Sequence, residues 1–367
     1  MAIKRSFSNF FRRYHSGIDV PLFVTVVVLC LFGVFNMYGI GGSNSLVTKQ
    51  AIFVGAGVLL MSVLSFFNYR YFKNSSQFVL TFYVGAVLFL ALPFLFDSIR
   101  GVQSWVVIGG LTFEPAELMK IILIVLMAKY FSQRHTLIND FRHVLISGVY
   151  CLVPAVITLI QPDLGSAIII TVIWLGMLLA AGINTHHLFL LIITGLVVTS
   201  MGWLFILKPY QKVRVLSFLS PASDPRGSGY NLIQSKIAIG NGHIFGNGWG
   251  NGPQTKNGFL PEPYNDFIFA ATADQFGLVG LGAVMAAILF IISRILHIGQ
   301  RAASNFGKLF ALGLVIFIAT HTIIAASVNV GLMPVTGIPF PFLSYGGSSL
   351  ISFMIGIGII QSIKRYG

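Results

Sequence analysis

The chain has 367 residues, of which 56% are hydrophobic and only 9% charged, with a mean hydropathy of +0.85. A soluble domain carries about 25% charged residues, so this chain lacks the charge to cover a water-facing surface, which excludes both a soluble globular enzyme and a disordered chain. Its 23 Lys and Arg against 10 Asp and Glu, a net +13, have to be placed relative to a membrane before they say anything about partners, and no nucleic-acid partner is expected.

The composition predicts an all-α polytopic membrane protein. A helical span needs about 20 mostly apolar residues, and such runs begin near Pro21, Ala51, Phe78, Pro115, Val144, Gly165, His187, Asp266, Gly307 and Gly346. Ten spans are therefore expected in a single integral membrane unit, 1–367, led by a cytoplasmic N-terminus, 1–20. The basic start runs into an apolar stretch of full spanning length without a small-residue cleavage site, which predicts a signal-anchor rather than a cleaved signal peptide. Lys and Arg flanking spans stay cytoplasmic. With both termini inside, 14 of the 23 bases fall on that side, in short loops and tails. Cys30 and Cys151 sit singly within apolar runs and read as small core residues.

The acids run the other way. Eight of the ten, Asp97, Glu114, Glu117, Asp163, Asp224, Glu262, Asp266 and Asp274, lie in outward loops or the outer halves of spans, which predicts that the chemistry is done at the outward face. The largest polar segment is the outward loop between the seventh and eighth spans, 208–265. It carries Lys208, Lys212, Arg214, Arg226, Lys236 and Lys256, a set suited to phosphate or pyrophosphate groups, or else a solvated basic loop. Within it, Tyr230 to Ile239 has near-helical apolar spacing, predicting a short helix with its apolar face in lipid.

Asp266 stands where the loop meets the eighth span, after Pro261 and Pro263. It reads equally as a partly desolvated general base and as a helix N-cap. Asp274 lies eight residues on, about 12 Å deeper if helical, and an intramembrane carboxylate is a functional candidate because burying it is costly. Glu117 and Lys120 share a helix face and can pair, either bracing the bundle or lining a polar cavity. Asp163 in QPDLG reads first as an N-cap, and His321 as a hydrogen-bonded packing residue. GLMPVTGIPFPFLSYGGSSL predicts irregular backbone, tolerable at membrane depth only where it lines a cavity or packs on protein. No metal-ligand spacing is readable.

These motifs together resemble the SEDS (shape, elongation, division and sporulation) glycosyltransferase family. The resemblance is carried by GVQSWVVIG with FEPAELMK, QPDLG, the loop YQKVRVLSFLSPASDPRGSGYNLIQSKIAIGNGHIFGNGW, FLPEPYNDFIFA and GLMPVTGIPFPFLSYGGSS, and it spans the chain from first run to last. In the long loop it is nearest the elongation members, which implies a role in cell shape. The resemblance implies ten helices with both ends cytoplasmic and polymerisation of lipid II into peptidoglycan, with release of undecaprenyl pyrophosphate. It also implies a class B penicillin-binding protein as partner and stimulation by a divalent cation, Mg²⁺ or Mn²⁺. Asp266 matches the family's essential aspartate, Glu117 and Lys120 its conserved pair, and Asp163 the aspartate of QPDLG. Lys212, Arg214, Lys236 and Gln234 of the loop motif complete the expected substrate-binding set. The chain departs from the family pattern at Ser104 (usually Arg), Glu114 (usually Gln) and Lys212 (usually Arg). It departs again at Pro263-Tyr264-Asn265, where the family has a variable residue and then His-Thr, and at Asp274-Gln275, usually Glu-Glu. The competing expectations are a precursor flippase or transporter and a non-catalytic scaffold for wall synthesis. The first should show two related halves around a midplane site.

Overall fold

The computed structural model describes residues 17–96, 103–108, 111–134, 140–206, 209–220 and 227–367. In chain order these form α1 (Val20–Gly39), α2 (Asn44–Phe66), the short α3 (Arg70–Asn74), and α4 (Ser76–Ala91) with a 3-10 turn after it. A small hairpin, β1 (Val106–Ile108) and β2 (Leu111–Phe113), precedes α5 (Pro115–Arg134), α6 (Phe141–Ile160), α7 (Leu164–Ala180) and α8 (Thr185–Met201), which ends in a π-helical turn. The loop region holds α9 (Pro209–Leu219), α10 (Ser228–Asn241) and α11 (Pro253–Lys256), and the chain closes with α12 (Ile268–Arg301), α13 (Asn305–Val330) and α14 (Gly347–Tyr366). The hairpin strands are antiparallel, with Val106 opposite Phe113.

The protein is an all-α polytopic membrane protein. Among the described residues eight helices are long and apolar enough to cross a bilayer. The runs expected as the fourth and sixth spans are present as α5 and α7 but stand outside that group. α7 has 17 residues, and α5 carries Glu117, Lys120, Lys129 and Arg134. Charge is tolerable in α5 because it is an inner helix: 15 of its 20 residues are buried, among α4, α6, α7, α13 and α14. α14 is likewise central, with 83% of its apolar window buried against 22% for α2. These two helices touch almost backbone to backbone: a Cβ on Gly358 would lie 3.0 Å from the Met61 carbonyl. Close approach at small residues is how membrane helices associate where the hydrophobic effect is weak.

Several helix starts are capped by the residue types that the free first-turn amides favour. Asp19 accepts from Leu22 N, Ser75 from Phe78 N, Asp163 from Ser166 N and Ser304 from Gly307 N, at 3.0–3.2 Å. α12 differs: its N-cap, Phe267, offers no side-chain bond. At 34 residues α12 would run about 51 Å if straight, against roughly 30 Å of hydrocarbon. It is broken at Gly277, whose φ of 64° a side chain would disfavour. The loop after α10 repairs the break. The carbonyls of His243 and Ile244 accept from the amides of Leu278 and Val279, and the amides of Asn247 and Gly248 donate to the carbonyls of Asp274 and Gln275, all at 3.0–3.1 Å. Irregular backbone here is satisfied by protein, as a membrane site requires.

Two expectations change. The segment Tyr230 to Ile239 is helical, but its buried face, Leu232, Ser235 and Ala238, packs on α12 and α13 instead of lipid, leaving Ile233 and Ile237 outside. Asp274 precedes the kink and is enclosed by the loop, so it is a loop anchor rather than a lone intramembrane acid. Its Oδ2 accepts from Gln254 N, Thr255 N and Thr255 Oγ1 at 3.0–3.1 Å and so caps α11, while its Oδ1 is buried without a hydrogen-bond partner.

Candidate active site

Asp266 occupies a tight turn between Pro261 and α12. The Glu262 carbonyl accepts from the amides of Asn265 (3.2 Å) and Phe267 (3.3 Å), and Asn265 Nδ2 donates to Glu262 Oε2 at 3.0 Å. Asp266 is half-buried and is not the N-cap of α12. The α12 amide of Ala270 is taken by Asn329 Oδ1 at 2.9 Å. Asn329, fully buried near the end of α13, turns its Nδ2 to the Asp266 carbonyl (2.7 Å), while its own carbonyl accepts from Ser235 Oγ of α10 (2.7 Å). One amide side chain thus joins the Asp266 turn to the first turn of α12, and its carbonyl ties in the loop helix. Sequence reasoning passed over Asn329, because a polar residue in an apolar run carries no spacing signal.

The irregular segment before α14 braces the same turn from the other side. Tyr345 N donates to the Tyr264 carbonyl and Ser344 Oγ to the Asn265 carbonyl, both at 2.8 Å, and Gln50 Nε2 reaches the Ser344 carbonyl at 3.2 Å. The expectation that this segment packs on protein is met. Its bonds to residues 264 and 265 run through main-chain carbonyls, which any residue supplies, so the Tyr264 and Asn265 departures leave the frame intact.

A second cluster lies within the bundle. Lys120 Nζ and Glu117 Oε1 are 2.6 Å apart, both side chains at most 2% exposed. His321 completes the set: its Nε2 is 3.5 Å from Lys120 Nζ and 4.0 Å from Glu117 Oε2, and its Nδ1 is 3.3 Å from the Pro339 carbonyl. With Nδ1–H donated to Pro339, Nε2 can accept from the ammonium, so His321 is part of the ion cluster rather than packing alone. Glu117 Oε2 and, at the start of α7, Asp163 Oδ2 are buried with no hydrogen-bond partner. Glu114, part-buried just ahead of α5, is held by Trp105 and lies in the field of both acids. Burial, then the Glu117 and Asp163 carboxylates, push it well above the usual carboxylate range. The two clusters are linked. His321 and Asn329 are eight residues apart on α13, about 12 Å, and the segment that meets His321 at Pro339 meets the Asp266 turn at Ser344 and Tyr345.

The loop candidates divide. Exposed Lys236 lies across Gly331, the left-handed C-cap of α13, so closely that any side chain there would collide with it, which brings its ammonium beside the Asn329 junction. Gln234 is half-buried on the same helix. Lys212, on α9, donates one N–H to the Leu204 carbonyl at 3.5 Å. Arg214 is also on α9, but its side chain lies outside the described residues, as do Lys208, Arg226, Asp97 and Asp224. No group of three or more His, Cys, Asp or Glu among the described residues is arranged to hold a metal ion.

Residues 18–367 match the FTSW_RODA_SPOVE family, described as cell cycle proteins. The chain belongs to that family. It is 31% identical to the peptidoglycan glycosyltransferase MrdB of Escherichia coli (strain K12) over 351 residues, 95% of this chain and 94% of that one. It is also 31% identical to the stage V sporulation protein E of Bacillus subtilis (strain 168) over 358 residues, 95% and 97% of the two chains. Among solved structures it superposes on a chain of a peptidoglycan synthase complex that coordinates polymerization and crosslinking, with a TM-score of 0.81 at 28% identity and coverage of 95% and 98%. The rod shape determining protein RodA of Thermus thermophilus shares the fold, with a TM-score of 0.71 at 24% identity and coverage of 95% and 98%.

Two departures from the family pattern have a structural reading. Glu114, whose carboxyl burial and the neighbouring Glu117 and Asp163 push towards the protonated form, stands where the family has the uncharged Gln. Gln275 accepts from Gly250 N (2.9 Å) and donates to Asn36 Oδ1 (2.8 Å), a combination that an ionised Glu cannot offer. Ser104 is buried with its hydroxyl unpartnered and offers no phosphate contact.

Proposed function

We propose that this chain is a peptidoglycan glycosyltransferase that polymerises lipid II outside the plasma membrane, in cell elongation. In this reading the bundle has ten spans with both termini cytoplasmic, the 208–265 region faces outward, and the partner is a class B penicillin-binding protein. The Asp266 carboxylate accepts the proton of the acceptor sugar hydroxyl. The oxygen bonds to the anomeric carbon of the lipid-linked donor strand, and the anomeric C–O bond breaks to release undecaprenyl pyrophosphate. Lys236, over Gly331 at the end of α13, and the buried Lys120 offer positive charge to the leaving pyrophosphate, the kind of fixed electrostatic support that lowers such barriers. Arg214, Lys212, Gln234, Glu117 and Asp163 complete the substrate-binding set. Among the described residues no group of three or more His, Cys, Asp or Glu could hold Mg²⁺ or Mn²⁺; a divalent cation would be held by one or two carboxylates together with the substrate pyrophosphate, and no step here depends on it.

The observation that carries the assignment is the position of Asp266: half-buried just ahead of α12, whose N-cap is Phe267, in a turn that Glu262, Asn329 and Ser344 hold through main-chain carbonyls. Purified Asp266→Asn is expected to lose at least about 100-fold in glycan polymerisation on a product gel, the scale of general-base loss, while remaining folded and inserted. Full polymerisation by the folded variant overturns the assignment. The same gel separates a polymerase from a flippase or a scaffold.

A further inference from the structure

At the end of the bundle away from Asp266, a cleft of about 340 Å³ opens between the first turns of α4, the last turns of α5 and the start of α6. That volume is within the range of small-molecule sites, roughly 300–1,000 Å³. Two cations line it, Lys129 and Arg134, with the hydroxyl-bearing Ser76, Tyr130 and Tyr150, and no carboxylate does. Lys129 is only 4% exposed. It spends two N–H donors on the Phe72 and Lys73 carbonyls (3.3 and 2.8 Å), keeping the third for a ligand. The Arg134 guanidinium lies over the Tyr130 ring at 4.5 Å, and among the described residues no acid pairs with either cation. A cation withdrawn from water without an anion, as Lys129 is, is unfavourable, and the half-buried Arg134 adds a second positive charge, so the cleft is electrostatically incomplete as it stands.

The cleft continues into an apolar one. Leu80 also borders a groove of about 370 Å³ that runs along α4 past Val84 and Gly85 to Leu88. A side chain on Gly85 would meet nothing within 4 Å, and Leu80, Val84 and Leu88 are 44–67% exposed. From Leu80 to Leu88 the groove covers eight residues, about 12 Å of helix. A basic, hydroxyl-lined cleft at one end and an apolar groove leading towards the bilayer centre form a slot of lipid shape.

The geometry points to an anionic glycerophospholipid of the inner leaflet, its phosphodiester between Lys129 and Arg134 and one acyl chain along Leu80 to Leu88. Basic pockets between helices on the cytoplasmic side are suited to such headgroups. A zwitterionic lipid brings its own ammonium to the two cations and fits less well. The inner-leaflet assignment rests on the orientation proposed above; binding in detergent does not.

The test is native mass spectrometry of the full-length, delipidated protein in detergent micelles, offered phosphatidylglycerol, phosphatidylcholine of the same acyl chains, or glycerol phosphate. Phosphatidylglycerol is expected to be retained at least fivefold over phosphatidylcholine, with Arg134→Gln removing the preference. Gly85→Leu, which fills the apolar groove, is expected to lower retention of both lipids at least threefold. Equal retention of the two lipids, or unchanged retention in both variants, overturns the site. Displacement of the lipid by equimolar glycerol phosphate makes it a soluble-phosphate site and overturns the lipid assignment. Gly85→Leu keeps the test decisive if Arg134→Gln does not fold. Labelling of a cysteine placed at Gln133 from each side of sealed vesicles reads the orientation separately.

Discussion

Two buried carboxylates, Asp19 and Glu117, are both paired with cations, yet they are built differently. Asp19, at the start of α1, accepts from Leu22 N and Arg294 Nε through Oδ1 (3.0 and 3.2 Å) and from Arg294 Nη2 and Lys364 Nζ through Oδ2 (2.5 and 3.0 Å). Both oxygens are satisfied, and the bonds tie the beginning of α1 to the ends of α12 and α14. Glu117 has one partner, Lys120, and its second oxygen is buried with no hydrogen bond. A buried acceptor left unpaired costs about 1–3 kcal/mol. The Asp19 cluster is complete within the fold and serves as a staple. The Glu117 cluster is incomplete within the fold, faces other acids and sits on the helix path to Asp266, which is the pattern of a site whose missing partner arrives with substrate.

That contrast can be broken. Lys120→Met leaves Glu117 buried without its cation, which destabilises by about 3–5 kcal/mol, and is expected to abolish polymerisation. Adding Glu117→Gln should recover much of the thermal stability but not the activity. If the double variant polymerises normally, the pair is a brace like Asp19 and the distinction fails. Asn329→Ala removes the amide that holds the Asp266 turn and the α12 amide; a kcat loss of about tenfold with KM within about twofold is expected from a misplaced base. An equal loss in both would mean that the turn as a whole had collapsed.

Asp19→Asn should leave polymerisation unchanged and lower thermal stability by about 1–3 kcal/mol, read as the unfolding midpoint in detergent. The pH dependence has a definite sign. Burial alone raises the Asp19 carboxyl, but Arg294, the Leu22 amide and Lys364 outweigh it and hold it below its ordinary 3.8. Its contribution is therefore present above that value and lost as pH falls through the lowered one. Glu114→Gln is the smallest expected change. Glu114 is raised, so across the window above its ordinary 4.5 the folded state holds a proton that the unfolded state has released, and stability declines as pH rises. Glu114→Gln removes that cost and should raise the neutral-pH midpoint. It should also flatten any pH dependence of activity that follows from Glu114 ionising beside Glu117 and Asp163.

Much of this was legible in the residues. Long apolar runs can satisfy their backbone in a bilayer only as helices, so the helix order and most starting points followed from hydropathy. The second run starts at Asn44 rather than Ala51 because Ser43 caps it ahead of the apolar stretch. Asp163 as a cap and the Glu117–Lys120 pair followed from local spacing, since their partners lie three residues away in sequence. The roles of Asp274, His321 and Asn329 did not. Their partners, Thr255, Lys120 and Asp266, are 19, 201 and 63 residues distant, and a hydrogen bond across such a separation leaves no periodicity to read. The sequence by itself determined the solvent, the helices and the candidate acids, because these depend on composition and on neighbours along the chain. Only the tertiary structure decided which acids staple helices, which hold a loop and which keep an oxygen without a partner, Asp274 doing both of the last two, because that depends on which helices the bundle brings face to face.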